Sequence, residues 1–247
     1  MKNAREQYYK YITSLLDIIY TSQSMVITKA IETICDAIEN NHTIFSFGAS
    51  HAGIITQELF YRAGGLALIN PIFLRETLLD VRPITQTSKM ERLLGYGSLA
   101  LEGYDIKKGD VIIITSVSGR NDVSIDMAIK AKEYGAIIIA ITNLTYSKEV
   151  QSRHPSGKRL FELADIVIDN CGVKGDACVE LDKLEQKVAP SSTISGAFIV
   201  NSIVAGVCEE LLNRNIDPPI FYSANVDGGE EKNKEIFEKY KDQIKYM

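Results

Sequence analysis

Hydrophobic residues along this chain fall into two kinds of stretch, short continuous runs and longer segments with a helical repeat. The clearest example extends from Asp110 to Thr142, where two apolar runs bracket a segment whose apolar residues recur about every 3.6 positions. Gly135 is well placed to end the helix before the second run begins. The pattern predicts a strand, a helix and a second strand, which is the repeating unit of a parallel sheet.

The same reasoning predicts alternating helices and strands along the rest of the chain. Helices are expected at about 4–40 (two of them), 53–64, 160–164, 194–212 and 232–245, strands at 43–48, 66–74 and 166–170, a helical excursion at 75–104, and irregular chain at 143–159, 171–190 and 215–229. Right-handed crossovers then give an α/β fold, a doubly wound, mostly parallel five-stranded sheet with helices on both faces. We expect a single domain with N-terminal helices (1–42), an α/β core (43–214) and a C-terminal extension (215–247).

Composition narrows the possible partners. The 247 residues are 45% hydrophobic, which supports a substantial core, and the net charge of −5 provides no global field to attract nucleic acid or anionic lipid. The apolar runs are strand-length, and the N-terminus has no signal-peptide pattern. These features predict a cytoplasmic protein that binds neither nucleic acid nor membranes.

Cysteine and histidine give no sign of a metal centre. The four cysteines are scattered without a C-x-x-C motif, as expected for reduced, mostly buried thiols. The three histidines show no ligand spacing. We therefore expect neither a metal nor a cofactor.

The turn after the first strand of the Asp110–Thr142 unit is rich in hydroxyl groups. Ser116, Ser118, Gly119 and Asn121 lie where a strand runs directly into a helix, so side-chain donors, backbone N–H groups and the positive end of the helix dipole face one point. The turn lacks the lysine of a Walker A loop and the G-x-G-x-x-G fingerprint. It fits a phosphate monoester on a small molecule, although similar turns in many α/β proteins bind nothing.

Other strand ends should lie beside this turn. Residues 48–53 and 142–143 also follow strands, and parallel strands place their carboxyl ends at one edge of the sheet, where ligands bind. The long apolar helix predicted at 194–212 has further hydroxyl groups at its N-terminus, those of Ser191, Ser192 and Thr193. We expect these groups to converge on one sugar phosphate.

At these residues the chain resembles the sugar isomerase (SIS) phosphosugar-binding family, over about residues 25–214. The run from Ser116 to Asn121 is similar to the family's S-x-S-G-x-(T/S/N) phosphate loop. Residues 58–65, 153–159 and 223–229 resemble motifs of an uncharacterised bacterial branch described as phosphoheptose-isomerase-like. The resemblance implies a SIS/flavodoxin-like fold and a sugar-phosphate ligand. It also implies a homo-oligomer, a dimer or tetramer, as do the broad apolar stripes of the N-terminal helices.

The first strand–helix loop departs from the family pattern. SIS proteins commonly have G-x-G-x-S here, whereas this chain has Ser50 at the second glycine position and Ala52 at the serine position. Ser50 can replace the missing hydroxyl only if the turn is rearranged, and the alternative is an altered pocket. Arg62 occupies the position of a glutamate that phosphoheptose isomerases and muramic acid phosphate etherases carry.

An aldose–ketose isomerase needs a base beside C1 and C2 and a proton shuttle between the two oxygens. Glu58, one turn before Arg62, is the first candidate base, His51 the candidate shuttle, and Glu180 the reserve base, with Glu76 behind it. The alternative interpretation is that Glu58 pairs with Arg62 on the helix surface and that His51 only caps or packs.

Three functions remain open at this point. The first is a sugar-phosphate isomerase that moves a proton between C1 and C2. The second is a non-catalytic phosphosugar sensor; because no helix-turn-helix domain precedes residue 25, such a regulator would act through another protein. The third is a lyase or deglycase that shares the proton-abstraction step.

Overall fold

The computed structural model describes residues 3–247, so Met1 and Lys2, which begin the stretch without a signal-peptide pattern, lie outside it. Five parallel strands form the central sheet in the order β2-β1-β3-β4-β5: β1 (Ile44–Gly48), β2 (Ile69–Ile72), β3 (Val111–Thr115), β4 (Ile137–Thr142) and β5 (Ile166–Asp169). Gly48 pairs with Thr115 and Thr115 with Ile141, so the ends of β1, β3 and β4 lie at one edge. The predicted fold class is confirmed.

Helices cover both faces of the sheet. They are α1 (Ala4–Ser22), α2 (Ser24–Glu39), α3 (Gly53–Leu59), α4 (Thr85–Met90), α5 (Tyr96–Leu101), α6 (Asp122–Glu133), α7 (Leu144–Glu149), α8 (Ser192–Asn213) and α9 (Gly229–Lys239). Successive side chains of a strand point to opposite faces. Thus Ile113 packs in the core layer built with α1, α2, α3 and α8, while Ile112 and Ile114 pack in the layer that includes α6.

Several elements differ from the sequence prediction, among them α9, which ends at Lys239 rather than at 245, and the segment 160–164, which forms a 3₁₀ turn at Leu160–Glu162. Helix α7 forms within the expected loop at 143–159. Asn143 caps it by accepting from the Tyr146 N–H at 2.8 Å. Ser147 is the only buried residue of this helix, so the sequence has no periodic apolar pattern that would predict it. A hairpin of β6 (Ala177–Val179) and β7 (Val188–Pro190) lies in the segment predicted as irregular. Helix α3 ends at Leu59, before the predicted end at Gly64.

Helix α8 is long and apolar enough to cross a membrane by length and composition. Its apolar residues are used inside this fold: Ile199, Val200 and Ile203 are buried in the core layer that α8 shares with α2 and α3. The hydrophobic run is therefore explained by core packing.

Helix α5 approaches α6 at backbone distance through Gly97. A Cβ atom at this position would lie 2.2 Å from the Val123 carbonyl oxygen and 3.0 Å from the Met127 backbone nitrogen. We expect Gly97→Ala to lower the free energy of unfolding by about 1–3 kcal/mol, because two packed helices must separate. Urea denaturation measures the change. Gly103→Ala is the control, since its Cβ would meet nothing closer than 3.4 Å; equal effects of the two changes would contradict the packing argument.

Candidate functional site

A cleft of about 450 Å³ opens at the carboxyl ends of β1 and β3. The turn after β1, the turn after β3 and the start of α8 line it, together with residues from the chain after α4, from α7, from the loop after α7 and from the chain before β6. The Thr115 hydroxyl lies at its floor, buried and without a hydrogen-bond partner among residues 3–247. The lining residues that matter below are Ser50, His51, Glu91, Arg92, Thr115, Ser116, Ser118, Asn121, Arg153, Asp176 and Ser192.

The turn after β3 presents free donors to the cleft. Gly119 has φ +58°, and a Cβ atom there would lie 2.9 Å from the Ser147 hydroxyl, so glycine allows the turn both its left-handed backbone and its close packing. No hydrogen bond joins the hydroxyls of Ser116 or Ser118 to another residue in the described part of the chain. Asn121 is the N-cap residue of α6, but its side chain makes no capping bond and turns into the cleft.

Glu91 lies directly over these donors and was missed by the sequence analysis. Its carboxylate accepts from the Asn121 amide at 2.6 Å and from the Ser50 hydroxyl. Its backbone carbonyl accepts from the Val123 N–H at 3.2 Å, which fixes it against the first turn of α6. The carboxylate is held by two side chains that face the cleft, and it occupies donors that an anion could use.

Ser50 explains how the first loop departs from the family pattern. Its φ of +51° lies in the left-handed region that favours glycine. This backbone conformation costs a residue other than glycine about 1–3 kcal/mol. Its hydroxyl donates to Glu91 rather than pointing away from the cleft. The serine therefore keeps a glycine-like backbone and adds a side chain that positions the Glu91 carboxylate.

Asp176, also missed, occupies the N-terminus of α8. Its carboxylate accepts from the backbone N–H groups of Ser191 (3.0 Å) and Ser192 (2.7 Å) and from the Ser192 hydroxyl at 2.6 Å. Ser191 is fully buried. Of the three predicted groups, Ser192 lines the cleft and Thr193 lines a small hollow beneath it.

Positively charged side chains also line the cleft. Arg92 and Arg153 line the cleft, and Arg120 lies close enough to act on Arg153. Burial lowers the pKa of Arg153, and the neighbouring charges of Arg92 and Arg120 lower it further. Within residues 3–247, none of these three guanidinium groups has a carboxylate within 4 Å.

The predicted catalytic residues are not all brought together. His51 lies in the cleft on a short 3₁₀ turn. Glu58 lies on the α3–α8 side, where its carboxylate binds Arg62 and accepts from the Asn201 amide at 2.8 Å. Glu180 is largely exposed and pairs with Lys187 at 2.7 Å. Neither glutamate lines the cleft.

The thiols are unsuited to nucleophilic chemistry. Burial raises the pKa of Cys35 to about 11, and it also raises the pKa values of Cys171, Cys178 and Cys208. All four are free cysteines. Among residues 3–247, no group of three or more histidine, cysteine, aspartate or glutamate side chains is placed to hold a metal ion.

Comparisons with known proteins show the family to which the chain belongs. A profile of the SIS domain matches residues 7–143. The chain is 54% identical to a UPF0309 protein of Oceanobacillus iheyensis over 242 residues, 98% of each chain. The chain belongs to the SIS domain family, and within it to the UPF0309 proteins.

Two solved structures show the same fold at low identity. A phosphoheptose isomerase from Francisella tularensis matches with a TM-score of 0.53 and 12% identity, covering 83% of this chain and 96% of that one. The Vibrio vulnificus NanR protein complexed with ManNAc-6P matches with a TM-score of 0.51 and 10% identity, covering 87% of this chain and 66% of that one. These likenesses show the fold, which agrees with the fold class predicted from the sequence.

Proposed function

We propose that the protein is a sugar-phosphate isomerase that interconverts an aldose and a ketose by proton transfer between C1 and C2. The observation that carries the proposal is the composition of the cleft. Unpaired hydroxyls of Ser116 and Ser118 stand at the N-terminus of α6, while Glu91 and His51 face the same space. Donors for a phosphate thus lie beside a carboxylate and an imidazole, which are the usual groups for this proton transfer.

The reaction needs no electron donor or acceptor. The Glu91 carboxylate takes the proton from C2 of the aldose, and the electron pair of that C–H bond forms an enediol. The same proton, or one from solvent, returns to C1. His51 moves the remaining proton between the two oxygens, so the ketose has the same composition as the aldose.

We propose Glu91 rather than Glu58 or Glu180 as the base on grounds of position. Asp176, the other carboxylate that lines the cleft, is committed to four donors at the start of α8. Glu91 is held only by the side chains of Ser50 and Asn121, which can turn to a ligand. Glu58 and Glu180 would need a second subunit to reach the site.

A non-catalytic phosphosugar sensor is the alternative. It is favoured by Arg62, which stands where phosphoheptose isomerases carry a glutamate, and by the position of Glu58 outside the cleft. A lyase or deglycase would begin with the same proton abstraction and differ in the bond that breaks next.

The test is a panel of hexose, heptose and amino-sugar phosphates with their unphosphorylated parents, incubated with protein in D₂O and followed by NMR. We expect binding of phosphorylated sugars only, solvent deuterium at C1 or C2, and an aldose–ketose product. Binding with neither deuterium incorporation nor an aldose–ketose product anywhere in the panel would reject the isomerase and favour the sensor. Loss of a substituent after exchange would identify the lyase or deglycase.

We also expect a homo-oligomer. Tyr9, Ile18 and Tyr20 of α1 and Met25 of α2 are exposed apolar side chains on neighbouring helices. Sedimentation at micromolar concentration should show a multiple of 27.4 kDa, and Tyr20→Lys with Met25→Lys should shift it to the monomer. Val226→Lys, which changes an exposed apolar residue of the C-terminal extension, is the control. A wild-type monomer would contradict the expectation.

A further inference from the structure

The segment Ser152–Lys158, here called the arginine arm, is a compact loop that its own polar groups hold together. The Ser152 hydroxyl donates to the Lys158 carbonyl at 2.7 Å and closes the loop. The Ser156 N–H donates to Nδ1 of His154 at 3.0 Å, and the Gly157 N–H to the His154 carbonyl at 2.9 Å. The arm therefore has a defined shape that can present a side chain at a fixed place.

The arm is fastened to α6 through His154. Its Nε2 lies 3.1 Å from Oδ1 of Asp126, and both side chains are largely buried, 11% and 6% exposed. Because Nδ1 accepts from the Ser156 N–H, Nε2 carries the proton and donates to Asp126. The other Asp126 oxygen accepts from the Gly95 N–H at 2.7 Å. Asp126 thus joins the arm, α6 and the chain before α5.

The residue next to this anchor is Arg153, whose guanidinium reaches the phosphate loop. Its Nη1 donates to Oδ1 of Asn121 at 2.6 Å, and its backbone N–H donates to the Arg120 carbonyl at 3.0 Å. Asn121 in turn donates to Glu91. Arg153 is therefore hydrogen-bonded directly to Asn121, one of the donors that line the cleft.

The charges around Arg153 call for an anion. Arg92 and Arg120 stand near it, and in the described part of the chain no acidic side chain pairs with any of the three. A guanidinium offers a planar pair of donors that matches two phosphate oxygens, and a bound dianion would offset the mutual repulsion of the arginines.

We propose that Arg153 is an anion-binding residue of the cleft, that it grips the phosphate group held by the Ser116–Asn121 turn, and that the His154–Asp126 bond positions it. That this phosphate group belongs to a sugar rests on the proposed function. The Arg153 side chain makes the site selective for a dianionic phosphate ester over a neutral sugar.

Affinity measurements by calorimetry with two probes test this proposal. The probes are inorganic phosphate and the sugar phosphate of the panel that binds best. Arg153→Met should weaken the affinity for both by about 10–100-fold, since a hydrogen-bonded charge is lost. Arg153→Lys should fall between, because it keeps the charge and loses the planar fork. Lys158→Met removes a charge from the same loop outside the cleft and should leave affinity unchanged.

Variants of His154 test its positioning role. His154→Ala should weaken the affinity for phosphate in the wild-type background but not in the Arg153→Met background, because His154 acts only through the arginine. His154→Gln, whose amide can still donate to Asp126, should restore most of the affinity. A further loss on adding His154→Ala to Arg153→Met would show a general structural effect and overturn the positioning role.

The two probes separate failure of this proposal from failure of the proposed function. If sugar phosphates bind wild type and Arg153→Met equally well, Arg153 is not a ligand and the sugar-phosphate function stands. If inorganic phosphate binds in an Arg153-dependent way and no sugar phosphate binds, the anion site stands and the proposed function fails. If neither probe binds the wild-type protein, both are wrong.

Discussion

Glu91→Gln is expected to slow exchange of the substrate C1 or C2 hydrogen with solvent deuterium by about 10²–10⁴-fold, the usual loss when a general base is removed. Glutamine has nearly the shape of glutamate and can still accept from Ser50 or Asn121, but it cannot take a proton from carbon. The rate is measured by the decay of the carbon-bound proton signal in D₂O, with the sugar phosphate that binds best.

Affinity should behave differently from exchange in the same variant. The Glu91 carboxylate lies over the donors of the phosphate loop, so its negative charge opposes a bound phosphate. Glu91→Gln removes that charge, and the dissociation constant of the sugar phosphate should stay constant or fall. Loss of affinity together with loss of exchange would instead identify Glu91 as a structural support of the cleft.

The variant His51→Asn separates the proton transfer at carbon from the proton transfer between the two oxygens, which Glu91→Gln cannot do. His51 faces the cleft, and its imidazole makes no hydrogen bond within residues 3–247. Without the shuttle between the oxygens, the carbon proton should still exchange while formation of the second sugar slows. Exchange and isomerisation falling together would assign His51 to the carbon proton.

Glu58→Gln is the matched control, since its carboxylate is held by Arg62 and Asn201 outside the cleft. We expect this variant to exchange at the wild-type rate, and Glu180→Gln likewise. Exchange lost in Glu58→Gln and kept in Glu91→Gln would return the base to Glu58, in a site completed by a neighbouring subunit.

The strand–helix units could be predicted from sequence because their signals are local. The apolar runs of β3 and β4, the helical repeat of α6 and the turn at Ser116–Asn121 all lie within 33 consecutive residues, Asp110 to Thr142. Parallel order then brings the strand ends together without further information. The fold was accessible by this route, and the turn that we propose binds phosphate was recognised by the same local signals.

Glu91 could not be predicted in the same way. It lies in the segment 75–104, where the helices α4 and α5 span only six residues each and give a weak periodic signal. Its place over the cleft depends on contacts that are distant in sequence, the Val123 N–H to its carbonyl and the Gly97 approach to α6. The nearest available clue was Ser50, a serine where the family commonly has glycine.

Glu58 was predicted as the base from its position along the chain, one turn before Arg62. Which way a helical side chain points, however, depends on which face of the helix packs against the core. Ile55 and Leu59 turn to the core shared with α8, and this rotation leaves Glu58 beside Asn201 of α8 rather than over the cleft. The Glu58–Arg62 pair at spacing i,i+4 is the alternative that the sequence left open.

Ser118→Ala together with Asn121→Ala should weaken the binding of the best sugar phosphate by about 2–4 kcal/mol, since each hydrogen bond to a charged group contributes about 1.5–3 kcal/mol. The loss should be confined to binding. The Asn121 side chain does not cap α6 and the Ser118 hydroxyl has no partner in the described part of the chain, so helix α6 should be unaffected, although Glu91 and the Arg153 guanidinium each lose their bond to Asn121. Thermal unfolding checks that stability is retained.

The effects of the two changes should not be strictly additive, because Asn121 also links Glu91 to Arg153. Each single variant is therefore measured beside the double variant, against Thr145→Ala with Gln151→Ala, a pair of exposed polar residues outside the cleft. Unphosphorylated sugars should bind neither wild type nor variant. Unchanged affinity in the double variant would move the phosphate away from α6.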